Sequence, residues 1–132
     1  MLKKLFLIGL FLSSLFVSSI TLALDCDHAQ TQADLNQCAF AELARESEKI
    51  NKTYHEFRAK LNPSQKYQFK KVQLAWIKFK DLSCAFEASG VEGGSAHGMV
   101  LAGCLADKAR QRNNELEALN NCQEGDLSCP AW

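Results

Sequence analysis

Six cysteines, Cys26, Cys38, Cys84, Cys104, Cys122 and Cys129, all lie downstream of an apolar leader, and that arrangement limits what this 132-residue chain can fold into more than any other feature. The leader opens with Lys3 and Lys4 and runs apolar from Leu5 to Val17, interrupted only by Gly9, Ser13 and Ser14. Such a run is too short for a comfortable membrane span and reads as an export signal, with Thr21 and Ala23 supplying the small residues of a cleavage site. We therefore expect a signal peptide over residues 1–23, a mature domain over 24–132, and an exported product, periplasmic or secreted. Lipoprotein processing wants a small residue directly before the cysteine, and Asp25 stands there. Export makes disulfides the default state of an even cysteine count. Structural zinc would want tight pairs such as C-x-x-C, and none occurs, so neither metal nor cofactor is expected.

Charge narrows the partners. Of 15 basic and 15 acidic residues, Lys3 and Lys4 leave with the leader, so 13 face 15 and the mature balance is −2. Nucleic-acid binding relies on basic stripes that displace phosphate counterions, and this mixed chain has none. One domain of this length has a modest core, which covalent ties would reinforce.

Periodicity predicts three helices and no strand. Leu43, Ile50, Tyr54, Phe57 and Leu61 recur at three- and four-residue steps, extended backwards by Ala39 and Leu35, so a first helix is expected from about Thr31 to Leu61. Ser47 fills its polar gap, and Glu46 and its charged neighbours are expected in water. Asn62 then suits an N-cap, Pro63 the first helical position and Gln65 the reciprocal capping bond. The second helix carries Phe69, Val72, Trp76, Phe79, Leu82 and Phe86 on one stripe, expected to face the first helix, and should stop near Ser89 with Gly90 as a left-handed cap. Residues 91–98 read as a loop in which Ser95 can cap the third helix. That helix shows Leu101, Leu105, Ala109, Arg112, Leu116 and Leu119 at helical steps, and Gly103 beside Cys104 is a candidate for close backbone approach. The tail from Asn120 carries turn residues at Gly125 and Asp126. The fold class expected is all-α: a small antiparallel three-helix bundle stapled by disulfides.

Six cysteines allow fifteen pairings, and sequence alone leaves them open. Pairing between chain neighbours is the expectation adopted here: Cys26 with Cys38, Cys84 with Cys104, and Cys122 with Cys129. The second of these would close about twenty residues around the glycine-containing loop, worth on the order of 3 kcal/mol in loop entropy.

The ordered set Gln73, Trp76, Phe79, Lys80, Asp81 and Cys84, then Gly93, Gly94 and Ser95, then Cys104 with Arg112 and Leu116 behind it, resembles the lysozyme-inhibitor LprI family of bacterial exported proteins. Cys26, Thr31, Cys38 and the Ile50-Asn51-x-x-Tyr54 segment extend the resemblance upstream, so it covers Asp25 to Leu119. Ala109 stands where the family commonly has threonine, Ser47 where aspartate is usual, and Cys122 and Cys129 exceed its usual core cysteines. The resemblance implies a helical, disulfide-containing exported domain and names inhibition of lysozyme as the activity. Asn51, Tyr54, Gln73, Trp76, Phe79, Asp81 and Arg112 are expected to be framework.

Lysozyme works with a protonated acid and an ionised partner set in a cleft, so an inhibitor must plug or cover it. The partner-binding residues expected on the 87–98 loop are Glu87, Glu92, Gly93, Gly94, Ser95 and His97: small residues to enter a cleft, Ser95 and His97 to meet the carboxylates, and the two glutamates to dock a cationic surface. His28 and His55 read as surface residues. No nucleophile with a base, no paired acids and no metal set is visible, so an enzyme is not expected. The alternative is a periplasmic or secreted interaction module for another bacterial protein.

Overall fold

The computed structural model of the chain describes residues 25–123 and 125–130. The leader expected over 1–23 lies outside them. After a 3₁₀ turn at Cys26–His28, three helices follow: α1 (Gln32–Lys60), α2 (Pro63–Ala88) and α3 (His97–Asn120). Among the described residues there is no strand, and the bundle runs up, down, up. All three expected cysteine pairs are joined, Cys26–Cys38, Cys84–Cys104 and Cys122–Cys129, with no free thiol among the described residues.

Two helix starts follow from local chemistry. Thr31 caps α1: its hydroxyl oxygen accepts from the Asp34 amide at 3.1 Å, while the Asp34 carboxylate accepts from the Thr31 amide at 3.2 Å. The Thr31 hydroxyl, which donates to the Asp34 carboxylate at 2.7 Å, and after it the Thr31 amide hold the Asp34 carboxyl below its usual range. Asn62 and Gln65 make the same reciprocal pair at 3.0 Å each way, with Pro63 preset at the first helical position. Asn62→Ala should therefore cost about 1 kcal/mol, read as a lower urea midpoint at unchanged slope; an unchanged midpoint would show that the proline alone fixes the turn.

α1 and α3 run parallel, side by side along most of their length. Asn36 bonds the start of α3 at one end, and at the other Lys60 Nζ donates to the Asn120 carbonyl at 3.0 Å. Their contact is close because α3 offers Ala102, Ala106 and Ala109 there, followed by Asn113 and Leu116, to Glu46, Ile50, Thr53 and Phe57 of α1. This buried face of α3 is rotated from the expected stripe: Ala109 and Leu116 belong to it, while Leu101, Leu105, Arg112 and Leu119 are only half-buried. Small side chains let helix axes approach where leucines would hold them apart.

Glu46 is a second correction. Expected in water, it is 2% exposed, because the alanine face of α3 leaves room for it beside Lys49 Nζ at 2.8 Å and Arg110 Nε at 3.7 Å. Arg110 also reaches Glu42 and Asp107, each at 2.6 Å, so one guanidinium serves three carboxylates.

The apolar core proper is small: Ile50, Phe57, Leu61, Phe69 and Leu116, flanked by Tyr54, Trp76 and Leu119. Phe69 is the one large apolar side chain that α2 buries, stacked on Tyr54 with centroids 4.8 Å apart and edge-on to Phe57 at 5.1 Å. Beyond Phe69, α2 leans on α3 through Cys84 and Ala88 rather than on α1. Phe79 was expected to face the first helix; it is instead 60% exposed, with Lys108 Nζ 5.8 Å from its ring centroid. The covered face of α2 is the one carrying Phe69, Gln73, Lys80 and Cys84, turned away from the Val72–Phe79–Phe86 stripe. Gly103 makes no close approach, whereas a side chain at Gly98 would meet the Phe40 ring at 3.4 Å.

Candidate functional site

The α2–α3 end is built by four constraints acting on a short connection. α2 ends at Ala88 and continues as a 3₁₀ turn over Ser89–Val91, the Ser89 hydroxyl donating to the Phe86 carbonyl at 2.7 Å. Gly90 is not the left-handed residue; Ser89 at the C-cap stays right-handed, and the reversal comes at Gly93, whose φ of +76° suits glycine. The Gly94 amide then bonds the Val91 carbonyl at 3.0 Å and the His97 amide bonds the Gly94 carbonyl at 3.2 Å, so the connection is two tight turns. Below them the Cys84–Cys104 bridge ties the helices with Cα atoms 5.6 Å apart.

Ser95 does not cap α3. Ala96 holds that position without a side-chain bond, and α1 supplies the missing partner: Asn36 accepts from the Met99 amide and donates to the Ser95 carbonyl, both at 3.0 Å. Nothing in the sequence around residue 95 signals this, because the capping side chain lies 63 residues upstream of Met99. The Ser95 hydroxyl, freed from capping, has no protein hydrogen-bond partner among the described residues.

Of the six residues expected to bind a partner, Glu92, Gly93, Gly94 and Ser95 share one exposed tip. His97 and Gly98, read from sequence as loop, belong to the first turn of α3, where His97 is half-buried. Glu87 stands in the last turn of α2 and is engaged there, accepting from the Ser83 hydroxyl at 2.9 Å and pairing with Lys108 at 3.1 Å. Those partners hold its carboxyl below the usual carboxylate range, the Lys108 bond first. Glu42 is likewise lowered, by Arg45 and then Arg110. For both groups the folded value is depressed, so their stabilisation is complete above the ordinary value near about 4.3 and disappears as pH falls through the lowered one. A urea midpoint followed from pH 7 to pH 3 should stay level to about pH 5 and then decline; a midpoint still level at pH 3 would mean these exposed pairs contribute nothing.

The residues expected as framework part company. Tyr54 and Arg112 serve the bundle, Arg112 donating to Glu115 at 2.7 Å and to the Gln73 amide oxygen at 3.4 Å. Asp81 is an exposed partner of Lys80 at 2.6 Å. Asn51, Gln73 and Trp76 line an open cleft of about 220 Å³ between α1 and α2, floored by Leu105 and Ala109. A neighbouring cleft of about 220 Å³ shares Asn51 and Gln73 and adds His55 and Lys70.

α2 also carries an exposed apolar line that its helical period had assigned to the face against α1. Phe79, Leu82 and Phe86, spaced three and four residues apart, lie along one line of the helix and are 60, 63 and 79% exposed. Among the described residues no group of three or more His, Cys, Asp or Glu is placed to hold a metal, and no helix is long and apolar enough to cross a membrane.

Fold and surface together define a small all-α domain of three helices and three disulfides, one of which ties α2 to α3, that shows solvent a fixed turn and an uncovered apolar helix face. The chain belongs to the LprI family: residues 25–116 match the family described as "Lysozyme inhibitor LprI". It is also similar to an uncharacterized protein of Rhizobium meliloti (strain 1021), 33% identical over 113 residues, covering 76% of this chain and 81% of that protein. No solved structure matches it.

Proposed function

We propose that this protein is exported and inhibits a lysozyme by seating the α2–α3 turn, within residues 87–98, in the enzyme's active-site cleft. Membership of a family described by lysozyme inhibition carries the reading. Three features support it. The tip is built of small side chains, Gly93, Gly94 and Ser95, which suit entry into a cleft lined for a glycan. Its base is tied covalently at Cys84–Cys104 and clamped by Asn36, so little ordering entropy is lost on binding. From Asp81 to Ala96 there are three acids and no Lys or Arg; Asp81 pairs with Lys80 and Glu87 with Lys108, which leaves Glu92 at the tip to meet a cationic enzyme surface.

In this reading the Ser95 hydroxyl donates to one of the target's two catalytic carboxylates, and Glu92 docks at the cleft rim. His97, at the base of the tip, orients the turn and approaches the second carboxylate only if the first turn of α3 enters with it. Blocking either carboxylate, or excluding glycan from between them, stops hydrolysis. The leader over 1–23 is proposed to deliver the chain to the compartment where lysozyme meets the cell wall.

Clearing of a cell-wall suspension by lysozymes of several classes, with purified oxidised protein added, tests the reading. At least one class should be inhibited, and Ser95→Ala should weaken inhibition roughly tenfold with far-UV helicity intact, as loss of a charge-assisted hydrogen bond does. His97→Ala should have a smaller effect. Undiminished clearing by every class would defeat the reading and favour an interaction module, for which the α1–α2 cleft is the natural docking place.

A further inference from the structure

The turn is too small to hold a protein partner by itself. Stable interfaces cover about 800 Å² on each side, whereas six or seven small residues around Gly93 offer a fraction of that. We infer that Phe79, Leu82 and Phe86 of α2 form the affinity-carrying half of the lysozyme-binding surface, with the turn as its blocking half; this rests on the inhibitor reading proposed above.

Four observations converge. These three side chains are uncovered though strongly apolar, and with aromatic rings carrying roughly 200 Å² each they present on the order of 400 Å², about half of what one side of an interface needs. The line ends next to the turn along the chain: Phe86 lies three residues before Ser89, which opens the connection and whose hydroxyl bonds the Phe86 carbonyl. Aromatic anchors in the middle of a contact, ringed by polar groups, are the usual carriers of binding energy, and Lys108, Glu87 and Ser83 stand beside this line as such a rim.

Charge sets the fourth. α2 is divided: Lys66, Lys70, Lys71, Lys78 and Lys80 fall in its first part with no acid among them, and Asp81, Glu87 and then Glu92 follow with no base. The lysine run of the first part disfavours a cationic enzyme there, and because Asp81 pairs with Lys80 and Glu87 with Lys108, Glu92 at the turn is the acid left to attract it. Charge thus weights the contact toward the Phe86 end of the line, next to the turn, and away from Val72, although Val72 is also half exposed.

The test measures inhibition by, and direct binding of, the oxidised full mature protein, using the lysozyme class it inhibits most strongly. Phe79→Ser, Leu82→Ser and Phe86→Ser are compared with Tyr67→Ser and Leu74→Ser, which are 65 and 55% exposed on other sides of α2. Each phenylalanine variant should raise the Kd about tenfold or more, Leu82→Ser by several-fold, and the two controls by less than twofold. All five alter exposed side chains, so helicity and Tm should stay at the wild-type values. Wild-type binding with all five variants within twofold of it would overturn this assignment and leave the inhibitor reading standing. Absence of wild-type binding to every lysozyme class would overturn both.

Discussion

Phe57→Ala is expected to lower stability by about 3–5 kcal/mol, the largest effect of any single substitution in this molecule. Phe57 is 1% exposed, packs edge-on against Phe69, and stands in a cluster of five buried apolar side chains. Three helix faces meet at that cluster, so removing the ring leaves a void that no neighbour can fill without breaking the Tyr54–Phe69 stack. A domain of about this size shifts in Tm by roughly 4–8 °C per kcal/mol, so the melting curve should fall by some 15–30 °C, or the protein should unfold at ambient temperature. Phe86→Ala is the matched control: the same side chain is deleted where it is 79% exposed, and stability should stay within about 0.5 kcal/mol. If the two variants melted together, the core would not be where the packing puts it.

Removing the Cys84–Cys104 bridge comes second. The tie closes 20 residues, and loop entropy alone makes it worth about 3 kcal/mol. Its loss should be felt more than that of the others because α2 has so little else to hold it: beyond Phe69 it contributes Cys84 and Ala88 to the buried set and no larger side chain. A Cys84→Ala, Cys104→Ala double variant should melt about 10–20 °C lower. Its first opening in native-state hydrogen exchange should be the separation of the second half of α2 from α3. Removing Cys122–Cys129, which closes 7 residues in a tail held to α2 by the Gln65 bond to the Pro130 carbonyl, should leave the three-helix melt nearly unchanged. A double variant at 84 and 104 that melts like the wild type would show that helix packing, not the covalent tie, fixes this end.

What the sequence made legible were local events. The Asn62–Pro63–Gln65 capping arrangement needs only residues three apart, the Leu43–Ile50–Phe57–Leu61 stripe only a helical period, and neighbouring cysteines found their neighbours. Periodicity went wrong at α2 for a physical reason. It reports which face of a helix is apolar, not whether another helix arrives to cover it; here α3 claims α1 through Ala102, Ala106 and Ala109, and the Phe79 line stays open. Exposure of that line was therefore invisible until the α1–α3 partnership was known. Glu46 was misplaced by the same partnership, because an alanine face makes space for a paired carboxylate that a leucine face would expel. The Asn36 clamp on the start of α3 joins residues far apart in the chain and leaves no local trace. At the tip, the glycines marked a turn, but its left-handed residue is Gly93 and not Gly90, and the boundary moved: His97 is helix, and Ser95 is spared from capping.

Whether a partner is bound by the α2–α3 end is tested most directly by amide hydrogen exchange of the oxidised protein, alone and with saturating lysozyme, the target proposed above. Protection gained on binding should concentrate in peptides covering residues 79–96, with the α1–α2 cleft around Asn51 and Gln73 exchanging as in the free protein. Protection that falls on the cleft instead, with residues 79–96 unchanged, would contradict the account.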